Sequence, residues 1–195
     1  MKGMYKEGYD PQKPEDRAAF AHKVLMNYYR RTFETVRSID SKMPIFHNSG
    51  HVPVGCQEIL PYFSHLELES LPTGGWGYDH YPMSAAYSRN LGLDFLGMTG
   101  KFHRTWGEFG GFKHPNALRY ECAAMLANNS KCSIGDQLHP DGELDQTTYE
   151  IIGAAYSEVE KKEEWCRDAL SLAEIAVLAE ESVKDASVGA SRLLL

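Results

Sequence analysis

Three polar residues alternate with two leucines in one short segment, and their types suit acid–base chemistry. His65, Glu67 and Glu69 alternate with Leu66 and Leu68. In a β-strand, residues two apart point to the same face, so the polar side chains share one face and the leucines the other. A carboxyl group that holds a proton near neutral pH can act as a catalytic acid.

Three glutamates are candidates for the catalytic acid, two on this strand and one in a later loop. Glu69 is nearest the carboxyl end of the strand, where parallel α/β barrels place their active sites, so it is the first candidate. Glu67 and Glu108 are the alternatives. Burying carboxylates costs free energy unless partners or function hold them. From the alternation alone, an edge strand with a solvated acidic face is an equally good interpretation.

Two loops combine glycines, aromatic rings and polar side chains, a composition that suits sugar binding. They cover residues 73–82 and 104–115. The C–H faces of a sugar stack on aromatic rings while its hydroxyl groups form hydrogen bonds, and glycine lets the backbone approach closely. Tight turns packed by their own aromatic rings are the alternative. The substrate-binding candidates in these loops and after the predicted strands are His47, Asn48, Trp76, Asp79, His80, Lys101, His103, Trp106 and Asp136.

The histidines raise the possibility of metal-dependent hydrolysis. Seven of the 8 histidines, together with Asp136, lie in or near the candidate loops and strand ends. None of them forms an H-x-H or H-E-x-x-H pattern, which are typical spacings of metal ligands. The sequence therefore predicts no metal and no cofactor, with histidines that contact sugar or support the structure.

Composition excludes several other classes of protein. The 195 residues include 20 Lys+Arg and 27 Asp+Glu, a net charge of −7, which argues against a nucleic-acid partner. No apolar run reaches the roughly 18–20 residues of a membrane helix, and no secretory signal follows Met1. The 4 cysteines form no C-x-x-C pair, which predicts free thiols and a cytoplasmic protein.

Helices and strands alternate along the chain and must position these residues. Helices are predicted from Pro14 to about Asp40, over 84–91, from Pro115 onwards and after the capping residue Asp145. Strands are predicted over 44–50, 64–70, 95–100, 131–136 and 173–178. The apolar residues of the first helix predict one buried face: Phe20, Ala21, Val24, Leu25, Tyr28, Thr32, Phe33 and Val36.

This order indicates an α/β fold with parallel strands. Polar residues follow successive strands, which favours the C-terminal half of a (β/α)₈ TIM barrel over a doubly wound sheet. Residues 1–168 would form that half. Residues 169–195, beginning with the strand over 173–178, would start a second, flavodoxin-like α/β domain. The three leucines that end the chain lead us to expect a fragment of a longer protein.

Four stretches resemble a known family. They are "FHNSGH" (46–51), "YFSHLELESLPTGGWGYDHYP" (62–82), "FLGMTGKFHRTWGEFGGFKHPNALRYECAAMLAN" (95–128) and "CSIGDQLHPDGELD" (132–145). They closely resemble the barrel of bacterial hypothetical glycosyl hydrolases that include the family-151 α-L-fucosidases. "AEIAVLAEESV" (173–183) resembles the start of the β-galactosidase trimerisation domain that follows that barrel.

The resemblance implies a cytoplasmic retaining glycosidase that acts on terminal sugars, most of all α-L-fucosides, and assembles into a trimer. It also implies that the nucleophilic Asp follows the fourth barrel strand, upstream of Met1. The chain would then supply the second half of the active site and be inactive alone. The alternatives are a β-galactosidase-like hydrolase, a non-catalytic carbohydrate-binding protein and a metal-dependent barrel hydrolase.

Overall fold

The computed structural model describes residues 2–48, 52, 55–178 and 184–194. These residues form a mixed chain of helices and strands, in agreement with the predicted α/β class. Their contacts divide the chain into two compact units, Met1–His47 with Gly55–Ser64, and Asn48–Val54 with His65–Leu195. No helix among the described residues has the length and apolar character needed to cross a membrane. The elements are α1 (Lys2–Lys6), α2 (Pro14–Ile39), β1 (Leu66–Glu69), α3 (His80–Ser88), β2 (Phe95–Gly100), α4 (Pro115–Ala127), β3 (Lys131–Gly135), α5 (Gln146–Glu160), α6 (Glu163–Cys166) and α7 (Lys184–Leu194).

Helix α2 dominates the first unit, and its bounds confirm the prediction. Pro14 occupies the first turn, where its missing N–H costs no hydrogen bond. Glu15 and Asp16 lie in the same turn, and Asp16 accepts a hydrogen bond from the Asp10 backbone N–H at 2.7 Å. Carboxylates at this end of a helix interact favourably with its dipole.

The prediction of a buried face on α2 is wrong for the residues in the middle of the helix. Val24, Leu25 and Tyr28 are 46–52% exposed, and the buried residue of the helix is instead Tyr29. The Tyr29 ring packs against Tyr62, with ring centroids 6.4 Å apart. Periodicity identifies apolar residues on one side of a helix, but burial requires another segment to pack there, and in this unit that segment contacts Tyr29.

The strand predicted over 44–50 is not present in its described part, because residues 43–48 are irregular. Ile45 bonds to Ser64 instead: the Ser64 backbone N–H donates to the Ile45 carbonyl at 2.8 Å, and the Ile45 N–H donates to the Ser64 hydroxyl at 2.7 Å. The serine side chain takes the place of a backbone acceptor, so no ladder continues. The turn expected at Ser49 and Gly50 lies outside the described residues.

The second unit is built on a parallel sheet with strand order β1-β2-β3. Leu66 pairs with Phe95 and Leu96 with Lys131, which sets the register of the two pairs. The three strands confirm the predictions over 64–70, 95–100 and 131–136. The predicted alternation is also confirmed: Leu66 and Leu68 are buried, whereas Glu67 and Glu69 are half-buried on the opposite face.

Helices α4 and α5 pack together and form the core against β3. Leu118, Cys122, Ile152 and Ala155 are buried in one cluster, and Cys132 of β3 packs against it. Both helix starts confirm the prediction, since α4 begins at Pro115 and the Asp145 side chain accepts a hydrogen bond from the Thr148 backbone N–H. The proline and the capping aspartate thus mark where these two helices begin.

Two further predictions differ from the structure. Helix α3 covers His80–Ser88 rather than 84–91, because Pro82 falls within its first turn, where proline is tolerated. The strand predicted over 173–178 is absent: residues 171–178 are irregular and exposed. An apolar run becomes a strand only when a neighbouring strand pairs with it, and no strand of the described sheet lies beside this run.

Candidate functional site

The carboxyl ends of the three parallel strands meet at one edge of the sheet, and most candidate residues lie there. The segments that follow β1, β2 and β3 leave the sheet at this edge because the strands run in the same direction. Most candidates of the second unit therefore lie at the end of a strand or in the segment that follows it, whereas Glu67 lies within β1 and Asn48 precedes the sheet. The candidates at this edge are Glu69, Trp76, Asp79, His80, Lys101, His103, Trp106, Glu108 and Asp136.

The acidic face of β1 carries two half-buried carboxylates. Glu67 lies 3.6 Å from the His65 imidazole. Burial raises the pKa of Glu67, while the hydrogen bond and charge of His65 act in the opposite direction and the Glu69 charge adds to the increase. Glu69 is the last residue of the strand, and its side chain makes no hydrogen bond or ion pair with any residue that the structure describes.

The loop after β1 places an aromatic ring beside a hydrogen-bonded histidine. Trp76 is 39% exposed, and its ring lies 5.0 Å from that of His80. The His80 Nδ1 is 3.1 Å from the Ser70 hydroxyl, which directly follows β1. Asp79 pairs with Arg192 of α7, and this contact lowers the pKa of Asp79.

The loop after β2 places Trp106 over the ends of two strands. A Cβ built on Gly135 would lie 2.9 Å from the Trp106 ring, and one built on Gly100 would lie 3.4 Å from it. Glycine at the ends of β2 and β3 thus lets the indole lie on the backbone. The ring is 40% exposed, so Trp76 and Trp106 both offer aromatic surface at the same edge of the sheet.

Lys101 and Glu108 hold this second loop in shape. The Lys101 ammonium is buried, donates to the Phe109 carbonyl at 3.0 Å and lies 5.4 Å from the Phe112 ring centroid. Glu108 accepts a hydrogen bond from the Arg104 backbone N–H at 2.8 Å. Both charged groups therefore have intraloop partners. His103, in contrast, is exposed to solvent in the same loop.

The segment after β3 contacts the second loop. The Gln137 side-chain amide donates to the Gly107 carbonyl at 2.6 Å, and the Phe109 and His139 rings lie 5.5 Å apart. Asp136 accepts a hydrogen bond from the Gln137 backbone N–H at 2.7 Å. Asp136 therefore lies at the same edge of the sheet as Trp106, and one of its carboxylate oxygens accepts the hydrogen bond from the next residue.

His47 belongs to the first unit and lies among aromatic rings. Its ring centroid is 4.7 Å from Tyr29 and 4.9 Å from Phe63, and its Nε2–H donates to the Tyr62 carbonyl at 3.2 Å. Burial lowers the pKa of His47. These contacts are those of a packed core histidine. Its predicted neighbour Asn48 falls in the other unit and has no regular secondary structure.

We expect the first unit to lose stability in mild acid because of His47. The unfolded imidazole titrates near 6.5, and the folded one has a lower pKa. Below that pH the unfolded state binds more protons, so the stability present above pH 6.5 declines as the pH falls. Urea unfolding at pH 7.5 and 5.5 should show this loss in the wild type and a smaller loss in His47→Phe. His22→Asn, at an exposed position, serves as control. An equal loss in all three proteins would contradict the assignment.

Sequence analysis missed a buried charged network behind the same edge of the sheet. The Lys113 ammonium donates to Glu121 at 2.7 Å and to the Thr99 hydroxyl at 2.9 Å, and both charged side chains are almost fully buried. The second oxygen of Glu121 has no hydrogen-bond partner among the residues that the structure describes. Glu121 also lines a cavity of about 10 Å³ between β2, α3 and α4. The available signal was a carboxylate among the apolar residues of α4: Glu121 lies three residues after Leu118 and four before Met125.

Lys113 also closes the second loop. Its backbone N–H donates to the Lys101 carbonyl at 3.0 Å, so the residues that begin and end the loop are joined. Across the described ranges, no three His, Cys, Asp or Glu side chains are close enough to hold a metal ion.

Comparison with known proteins relates this chain to an enzyme of known structure. No protein-family model matches the sequence, and no curated protein matches it. Among solved structures, α-L-fucosidase isoenzyme 2 from Paenibacillus thiaminolyticus superimposes with a TM-score of 0.91 at 52% sequence identity. The match covers 100% of this chain and 31% of that enzyme. Along its whole length, the chain is therefore related to a segment of an α-L-fucosidase, and it spans about a third of that enzyme.

Proposed function

We propose that this chain forms the second half of the active site of a glycoside hydrolase that removes terminal α-L-fucose. The observation that carries the proposal is the 52% identity to an α-L-fucosidase over the whole chain. The parallel sheet and the clustering of polar and aromatic residues at its carboxyl edge are compatible with the C-terminal half of a (β/α)₈ barrel.

In this proposal Glu69 is the general acid. It ends β1 at the candidate edge, is half-buried, and has neither an ion pair nor a hydrogen bond to the described residues. Glu67 is the first alternative, because burial raises its pKa. It lies two residues before Glu69, farther from the carboxyl end of the strand, and it contacts His65. Glu108 is less suited because its carboxylate accepts the Arg104 backbone N–H.

The two exposed indoles are the proposed sugar platform. Trp76 and Trp106 offer flat apolar surfaces against which the C–H face of fucose can stack. His80, His103 and Asp136 lie in the same group of loops and can hydrogen-bond the hydroxyl groups. Lys101 contributes indirectly, because its ammonium binds the Phe109 carbonyl and so holds the loop that carries Trp106.

We propose a retaining mechanism in which the attacking carboxylate comes from a part of the enzyme outside these 195 residues. The chain corresponds to 31% of its fucosidase relative, so a barrel assembled from both parts would complete the pair of carboxylates. On this basis the chain alone is inactive. Residues 169–195 would begin a further domain through which the complete, cytoplasmic enzyme forms a trimer.

The test is an assay of the complete protein that contains this chain. We expect hydrolysis of an aryl α-L-fucoside and release of fucose with retained anomeric configuration, followed by NMR. An aryl β-galactoside and a chelator-treated sample serve as controls. Preferential hydrolysis of the galactoside would indicate a β-galactosidase-like hydrolase, and loss of activity on metal removal would indicate a metal-dependent hydrolase. Fucose binding without turnover would indicate a non-catalytic carbohydrate-binding protein. Each of these results would overturn the proposal.

A further inference from the structure

Two cysteines of the second unit come from different elements and lie side by side. Cys122 belongs to α4 and Cys132 to β3, and only residues 128–130 separate the two elements. The Cys132 thiol donates a hydrogen bond to the Cys122 backbone carbonyl oxygen at 3.4 Å, and Cys132 packs against the buried cluster that contains Cys122. Neither thiol takes part in the candidate active site, so their contact requires a separate explanation.

The surroundings of the two thiols differ in access to solvent. Cys122 is fully buried against Leu118, Ile152 and Ala155 of α4 and α5. Cys132 packs against this cluster but is only half-buried, on the strand at one end of the described sheet order. A small reagent can therefore reach Cys132, whereas Cys122 is reached through Cys132.

The two neighbouring side chains also differ in acidity. Interaction with the Cys122 side chain lowers the pKa of Cys132, although burial and the Glu163 charge oppose this change. Interaction with the Cys132 side chain, together with burial, raises the pKa of Cys122. The thiolate is the attacking form of cysteine, so Cys132 reacts first with an oxidant.

We propose that Cys132 and Cys122 form a thiol modification site, in which Cys132 attacks a small aliphatic disulfide and Cys122 resolves the adduct. In the first step, the Cys132 thiolate bonds to one sulfur of the small disulfide and expels the other as a thiolate. In the second, Cys122 transfers its proton to a released thiolate and attacks the Cys132 sulfur, which expels the remaining half. Two protein thiols are oxidised to one disulfide, and the small disulfide is reduced to two thiols.

Cys166 provides an internal comparison. It is half-buried like Cys132, but it lies on α6 and does not belong to the described cluster in which Cys132 packs against Cys122. Exposure alone would make Cys132 and Cys166 behave alike. Proximity to Cys122 makes Cys132 proceed to an intramolecular disulfide while Cys166 stops at the mixed disulfide.

The experiment treats the folded chain with oxidised glutathione, blocks the remaining thiols by alkylation and digests it with trypsin. Cleavage after Arg119 and Lys131 places the two cysteines in separate peptides, 120–131 and 132–161. We expect these peptides to be joined by a disulfide that a reductant removes. A persistent glutathione adduct on Cys132, a cross-link to another cysteine, or no reaction at either thiol would each overturn the proposal.

Three variants assign the roles, with folding checked by circular dichroism. Cys122→Ala should accumulate the glutathione adduct on Cys132, and Cys132→Ala should leave Cys122 unmodified. Cys166→Ala is the matched control and should keep the cross-link. Modification of Cys122 in folded Cys132→Ala would show that Cys132 is not the attacking thiol. The wild-type peptide map tests the cross-link even where a variant does not fold.

Discussion

Glu69→Gln is expected to abolish hydrolysis of natural fucosides by the complete enzyme while largely sparing an activated aryl fucoside. Removing a general acid costs about 10²–10⁴ in rate when the leaving group must be protonated. A nitrophenolate leaves without a proton, so its release needs no acid. The measurement is kcat/KM for a fucosyl disaccharide and for a nitrophenyl fucoside, with wild type and variant compared side by side.

Glu67→Gln is the matched control, because it removes a carboxylate from the same face of the same strand. If Glu69 is the acid, Glu67→Gln should affect the two substrates to similar extents, through local changes around His65. Wild-type rates for both substrates in Glu69→Gln would make Glu69 a structural carboxylate. The same selective loss in Glu67→Gln or Glu108→Gln would transfer the role to that residue.

Lys113→Met is expected to destabilise the second unit by about 3–5 kcal/mol, the usual effect of removing one partner of a buried ion pair. Both side chains are almost completely buried, so among the described residues the remaining Glu121 carboxylate would keep the Thr99 hydroxyl as its one hydrogen-bond donor. The loop after β2 should also exchange its amide hydrogens faster, because its last residue is held by this pair. Chemical unfolding and hydrogen exchange measure the two effects.

Two controls separate charge from packing in this experiment. Lys131→Met removes an exposed ion pair to Asp94 and should change stability little. The double variant Lys113→Met with Glu121→Leu removes both charges and should recover much of the lost stability. A Lys113→Met protein as stable as the Lys131→Met protein would show that the buried pair contributes little.

Elements whose determinants are local could be predicted from sequence. Pro14 and Pro115 lie at helix starts because proline has no N–H group that would need a partner there. Asp145 lies at a helix start because its side chain accepts a hydrogen bond from the nearby Thr148 backbone N–H. The alternation around Glu67 and Glu69 is likewise a property of four or five neighbouring residues. The structure confirms all of these, together with the parallel α/β class.

Elements that depend on a distant partner could not be predicted in the same way. The run over 173–178 has the composition of a strand, yet it is exposed and irregular. The face of α2 around Val24 is apolar, yet half of its surface meets solvent. In each case the segment has the right composition, but strand pairing and burial are properties of a contact between two segments.

The sequence by itself determined the types of residue available for chemistry, the strand face that carries the two carboxylates, and the loops that follow each strand. Only the tertiary structure decided which polar groups are already engaged. It joins Lys113 to Glu121 and Thr99, Lys101 to the Phe109 carbonyl, and the Cys132 thiol to the Cys122 carbonyl. The physical reason is that hydrogen bonds and burial act over a few ångströms in space, whereas a sequence records only separation along the chain.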